Sequence, residues 1–172
     1  MKHFSLNTLL CTIVVASIAI APCESDDKLI TQTCSKTPYP SQCVSYLKAV
    51  DASKDVRDVP GLGIIMAQVL VLKAQDPKDI LFVLLGVGKR PDIQVQLKTC
   101  LESYSFIIKT AMPAAIDSFK IGKPRLAEDY ANTAALVVSK CEKSFNGKSP
   151  ITNENNVTHE IARILGAIAK QL

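Results

Sequence analysis

Between Pro91 and Phe119 the apolar positions Ile93, Leu97, Cys100, Tyr104, Ile108, Ala111, Ala115 and Phe119 recur every three or four residues, which places them on one stripe of a helix. Pro113 falls inside that pattern. Its ring lacks an N–H and crowds the preceding turn, so a kink is predicted there. The next stripe runs through Leu126, Tyr130, Ala134, Val137, Cys141 and Phe145, with Pro124 placed as a first helical residue and Asn146-Gly147 as a left-handed stop. Glu128 and Asp129 then read as acids near the positive N-terminal end of that helix. Val157, Ile161, Ile164, Leu165, Ile168 and Leu172 form a last stripe, which Ser149 would cap with Pro150 in the first turn.

Upstream, Leu62, Ile65, Met66, Val69 and Leu72 open a helix after Asp58-Val59-Pro60. Asp76-Pro77 both breaks a helix and restarts one, so 61–89 reads as one kinked or broken helix, ended by Gly86 and Gly88. The run Ile80 to Gly88 is too short to cross a bilayer and is expected to be buried core. Strand alternation bounded by hairpin turns is absent. Four amphipathic segments on short connections predict an all-α, up-and-down four-helix bundle over 59–172. Ahead of it, residues 26–58 form a helical hairpin around Thr37-Pro38-Tyr39-Pro40, followed by a polar linker from Asp51 to Asp58.

The first 23 residues change the setting: Lys2 and His3 precede an apolar stretch from Leu9 to Ala21, the layout of a secretory signal peptide. Cleavage is expected near Ala21-Pro22-Cys23 or Cys23-Glu24-Ser25, leaving 24–172 as the mature domain. Of the six cysteines, Cys11 and Cys23 go with the leader, and Cys34, Cys43, Cys100 and Cys141 remain, an even number suited to an oxidising compartment. Losing Lys2 takes the formal charge from +4 to +3, and no dense basic stripe interleaved with aromatics suggests nucleic acid. No membrane partner is expected, and a monomer is the default. Asn156-Val157-Thr158 is a glycosylation sequon, consistent with secretion.

Four cysteines allow three pairings. A Cys34–Cys43 bridge would staple a hairpin too small to hold itself together, and a Cys100–Cys141 bridge would tie two inward stripes, contributing roughly 4 kcal/mol by chain entropy. A metal site would need closer spacing or a histidine partner, and His159 is the only histidine after the leader. His159 has no neighbouring Cys or Asp motif to make it a catalytic base and reads as a surface residue. Glu128 and Asp129, adjacent on a helix, point in different directions and do not make a glycosidase pair. Gly61-Leu62-Gly63 and Gly86-Val87-Gly88 lack the strand–loop–helix context of a phosphate cradle. Neither enzyme chemistry nor a cofactor is expected.

Several segments together resemble one family. Leu29-Ile30-Thr31-Gln32-Thr33-Cys34, Thr37-Pro38-Tyr39-Pro40 and Cys43 are similar to the N-terminal hairpin of the plant invertase and pectin methylesterase inhibitors. Cys100-Leu101-Glu102-Ser103-Tyr104 resembles that family's cysteine–leucine–glutamate–x–tyrosine segment, and Cys141, Phe145, Ser149-Pro150-Ile151-Thr152 and Asn155 resemble its last two helices. The resemblance implies disulfides pairing the first cysteine with the second and the third with the fourth. It also implies a protein-binding inhibitor in the apoplast or vacuole, directed at acid invertase or at pectin methylesterase. Invertase inhibitors of this family carry Pro-Lys-Phe followed by Ala-Glu-Asp, which enters the enzyme's cleft. This chain has Pro124-Arg125-Leu126-Ala127-Glu128-Asp129 there, with Arg125 keeping the positive charge and Leu126 replacing the ring. Pro124, Arg125 and Leu126 are therefore the candidate target-binding residues, favouring invertase, with Cys100–Cys141 expected to hold their loop in shape. A pectin methylesterase inhibitor would dock instead through bundle faces. A secreted member that inhibits neither enzyme is the third reading.

Overall fold

The computed structural model describes residues 24–88 and 91–172. The expected leader, its cleavage site, Cys11 and Cys23 lie outside them. Seven α-helices follow in order: α1 (Glu24–Cys34), α2 (Pro40–Lys48), α3 (Val59–Val87), α4 (Gln94–Phe106), α5 (Met112–Lys120), α6 (Pro124–Ser144) and α7 (Thr152–Ala169). Helices α1 and α2 form the hairpin, closed by Cys34–Cys43 with both sulfurs buried. The bundle packs α3 on α7 and on α4–α5, and α6 on α5, α4 and α7. The linker is partly ordered as a 3-10 turn over Asp51–Asp55.

Helix α3 is continuous through Pro77 and begins two residues before the expected 61–89 span, where the Asp58 carboxylate accepts the Gly61 N–H at 2.8 Å. Gly88, at φ 62°, ends it in the left-handed conformation. The kink expected at Pro113 takes the form of a π turn over Ile107–Ala111, in which the Met112 N–H reaches back to the Ile107 carbonyl. The wide turn re-pairs backbone groups around a residue that cannot donate. Helix α7 starts at Thr152, later than Ser149-Pro150 suggested, because Ser149 closes a preceding turn by accepting the Ile151 N–H on its hydroxyl.

One expectation fails clearly. Ile80 to Gly88 is not buried core: Leu81 is buried and Leu84 and Leu85 half-buried, while Phe82, Val83 and Val87 are exposed. Only one arc of α3 meets α4, α5 and α7, and a run apolar on every side must leave its other arc uncovered.

Two features lock the distal half of the bundle. Cys100–Cys141 joins α4 to α6 across a 41-residue separation, worth about 4 kcal/mol through loop entropy. Beside it runs a buried polar chain. Tyr104 Oη donates to Asn155 Oδ1 at 2.8 Å, Asn155 Nδ2 donates to Glu142 Oε2 at 2.6 Å, and Thr152 Oγ1 donates to Glu142 Oε1 at 2.8 Å. These bonds connect α4, α6 and α7, and burial pushes the Tyr104 hydroxyl's pKa upward, so it stays a donor. The hairpin is fastened to α7 by Tyr46 Oη donating to Glu160 Oε1 at 3.2 Å and Gln171 Nε2 donating to the Thr33 carbonyl at 3.1 Å.

Asn155→Ala strands both the Tyr104 hydroxyl and one oxygen of Glu142, and should cost about 2–4 kcal/mol, against about 1–2 kcal/mol for Tyr104→Phe; urea denaturation with the double variant measures their coupling. His159 is half-buried rather than a free surface residue, and burial, followed by the Arg163 charge, holds its pKa below the ordinary histidine value. The unfolded chain therefore binds the proton first as pH falls. The stabilisation from the neutral ring is complete above about pH 6.5 and is lost as pH drops through the lowered folded value. Thermal melts across that window should show His159→Gln with a flatter acid limb than the parent.

Candidate functional site

The α5–α6 connection is short and closed on itself. Helix α5 ends with two backward bonds: the Gly122 N–H donates to the Phe119 carbonyl at 3.1 Å, and the Lys123 N–H to the Ser118 carbonyl at 2.8 Å. This is the Schellman arrangement, and it requires the left-handed φ of 68° that Gly122 supplies. Lys123 is at once the last residue of that motif and the residue that caps α6, and its carbonyl accepts the Leu126 N–H at 3.1 Å. Pro124 occupies the first turn of α6, where its missing N–H costs nothing.

The connection is anchored from below by Phe119, whose ring lies directly against Gly63 of α3: a Cβ there would come within 2.5 Å of the ring. Ala127 is buried under the first turn of α6. What projects outward is Ile121 at 64 % exposure, Lys123, Arg125, and Leu126 at 45 %. Lys123 and Arg125 form no ion pair among the described residues, whereas the neighbouring Lys120 is held by Asp117 at 3.4 Å. The tip therefore offers two cations and two aliphatic side chains on a backbone that is already ordered. Glu128 and Asp129 lie beyond the first turn of α6, too far along for a strong helix-dipole role.

Pro124, Arg125 and Leu126 lie at this tip, Pro124 half-buried and the other two exposed, and Ile121 and Lys123, which the motif comparison passed over, lie exposed beside them. Gly122 directly before Lys123-Pro124 was the available signal, since a glycine stop running into a proline start leaves little slack. The expected role of Cys100–Cys141 needs revision. Cys141 lies 17 residues along α6 from Pro124, about 25 Å away, so the bridge braces the opposite half of the bundle. The loop is held by its own backbone bonds and by Phe119.

Among the described residues, no group of three or more His, Cys, Asp or Glu is placed to hold a metal ion. The hollow of about 240 Å³ between α6 and α7 is lined by His159, Asn155 and Glu142, but both oxygens of Glu142 are already taken by Thr152 and Asn155.

Comparison with known proteins agrees with this reading of the fold. Residues 28–168 match the family described as Plant invertase/pectin methylesterase inhibitor. The chain is 30% identical over 144 residues to the cell wall / vacuolar inhibitor of fructosidase 1 of Arabidopsis thaliana, covering 84% of this chain and 69% of that protein. It is 25% identical over 150 residues to a pectinesterase inhibitor of Actinidia deliciosa, covering 87% of this chain and 80% of that one. Among solved structures, a mutant form of a pectin methylesterase inhibitor from Arabidopsis superposes with a TM-score of 0.70 at 17% identity, covering 83% of this chain and 96% of the other. A further solved structure, of a pectin methylesterase inhibitor from Arabidopsis thaliana, superposes with a TM-score of 0.62 at 16% identity, covering 83% of this chain and 95% of the other. With the motif segments, the bundle, the two disulfides and a match across nearly all of the described residues, the chain belongs to the plant invertase/pectin methylesterase inhibitor family.

Proposed function

We propose that this protein inhibits plant acid invertase by seating the 121–126 connection in the enzyme's substrate cleft. The observation that carries the reading is an exposed Arg125, with no ion-pair partner among the described residues, held between Pro124 and Leu126 on a pre-ordered turn. Glycosidase clefts are lined by catalytic carboxylates, and a guanidinium makes a two-pronged, charge-assisted contact with such a group. Leu126 and Ile121 cover apolar surface on either side, and because the turn is already fixed, little conformational freedom is lost on docking. The 30% identity to an inhibitor of fructosidase points the same way. The likeness to a pectinesterase inhibitor supports a second target, pectin methylesterase, approached through bundle faces. Secretion into wall or vacuole fits the two disulfides and the leader, with Asn156, exposed on α7, as the place for a glycan.

Titrating oxidised protein against cell-wall and vacuolar invertases should abolish sucrose hydrolysis at a one-to-one ratio. Arg125→Ala should weaken inhibition about 10- to 100-fold, the size of one lost charge-assisted hydrogen-bond pair. Gly122→Val, which strains the left-handed turn, should weaken inhibition while leaving Arg125 in place. Inhibition of methanol release from pectin, with no effect on sucrose hydrolysis, would instead establish the second target. Failure of both assays with a folded protein would leave a non-inhibitory member of the fold.

A further inference from the structure

The candidate site leaves the far end of α6 unused, where Asn146-Gly147 stops the helix. The stop is a Schellman turn: the Asn146 N–H donates to the Lys143 carbonyl at 3.0 Å and the Gly147 N–H to the Glu142 carbonyl at 3.3 Å. Its left-handed position is usually a glycine, yet here Asn146 occupies it at φ 54°, the one non-glycine residue with positive φ among the described residues. Gly147 follows at φ 75°. Both residues are exposed, and the Asn146 carboxamide takes no hydrogen bond among the described residues. The turn opens onto a hollow of about 380 Å³ that Asn146 lines with Gln96 and Lys148, so water reaches it freely.

We propose that Asn146 is a self-modification site, deamidated through the Gly147 nitrogen, and that the product loosens the α4–α6–α7 junction. A base from solvent takes the Gly147 N–H proton, and that nitrogen bonds to Cγ of Asn146. The carboxamide C–N bond breaks, the proton returns to the leaving nitrogen as ammonia, and a five-membered imide joins the two residues. Water then opens the ring at either carbonyl, giving aspartate or an isoaspartate whose chain runs through the side chain. One water enters and one ammonia leaves, with no change of oxidation state. The 3.3 Å bond to Glu142 is the gate: it lies beyond the usual N–H···O range and closes an exposed helix end, where local opening costs least. Glycine after the asparagine leaves the attacking nitrogen unhindered and the backbone free to turn toward Cγ. Asn132, Asn153, Asn155 and Asn156 instead lie within α6 or α7, each followed by a residue with a side chain.

Either product acts on the turn. Aspartate sets a charge against the negative end of α6, and isoaspartate lengthens the backbone by one carbon, so the two return bonds lose register. Glu142 supplies both the carbonyl that closes the turn and the carboxylate that holds Thr152 and Asn155, which carries the loss to α7. Arg125 lies about 30 Å away along α6, so the tip keeps its shape whichever enzyme it meets.

Oxidised protein held in mildly alkaline buffer, then mapped by peptide mass spectrometry with isoaspartyl methyltransferase labelling, should show Asn146 converted at least about tenfold faster than any other asparagine. Its melting temperature should fall by about 2–4 °C as conversion proceeds, the shift that one lost cap gives in a domain of this size. Asn146→Asp should begin lower by a similar amount. Asn146→Gly, which keeps the left-handed residue without a carboxamide, should take up no label there and hold its melting temperature through the same incubation. Conversion of Asn146 no faster than that of Asn132 or Asn156 overturns the proposal. So does conversion with a level melting temperature, or a fall that Asn146→Gly shares. None of these readouts involves invertase or pectin, so their outcome is separate from that of the inhibition assays.

Discussion

The junction of α4, α6 and α7 at Cys100–Cys141 and Glu142 is the constraint on which the rest depends. The disulfide restricts the unfolded chain, and next to it the carboxylate of Glu142 gathers Thr152 and, through Asn155, Tyr104. A half-buried carboxylate gives up part of its hydration, and here both oxygens recover partners by accepting from α7. Once those helices are set in register, α3 closes the bundle against α7 and α4–α5, and the hairpin fastens along α7 through Tyr46 and Gln171. The other end of the bundle is free of covalent bracing. Its order comes from local backbone bonds around Gly122 and from the Phe119–Gly63 contact, a cheaper device suited to a three-residue connection.

This division of labour suits an inhibitor that acts by contact. Rigid helices end in a turn whose conformation is set before any partner arrives, so a docking contact gains its electrostatic and apolar terms without first ordering a loop. The sequence at that turn departs from the Pro-Lys-Phe that the family resemblance leads one to expect, keeping the charge and replacing the ring with an aliphatic side chain, and Ile121 supplies a second aliphatic surface close by in the chain.

Much of the fold was legible because its signals are local and periodic. Cys100 and Cys141 fell on inward stripes, Pro124 and Asn146-Gly147 marked a helix start and a helix stop, and Asp58 preceded the start of α3. Tyr104 was visible only as a stripe and motif position, Asn155 only as a motif residue and Glu142 not at all, because their partnership joins residues up to 51 positions apart and no local pattern encodes it. The exposure of Phe82, Val83 and Val87 was hidden for a different reason. A run that is apolar on every side carries no phase, so periodicity cannot tell which arc meets the core. Pro113 signalled a disturbance, but the choice of a π turn over a kink depends on how α4 and α5 both stay packed on α3.

The central claim, that the 121–126 turn occupies an invertase substrate cleft, meets its most direct test in the steady-state pattern of inhibition. If the turn fills the cleft, raising sucrose should displace it, so the apparent inhibition constant should climb linearly with sucrose concentration while the maximal velocity is preserved. Inhibition that lowers the maximal velocity and ignores sucrose would place the contact elsewhere and contradict the account.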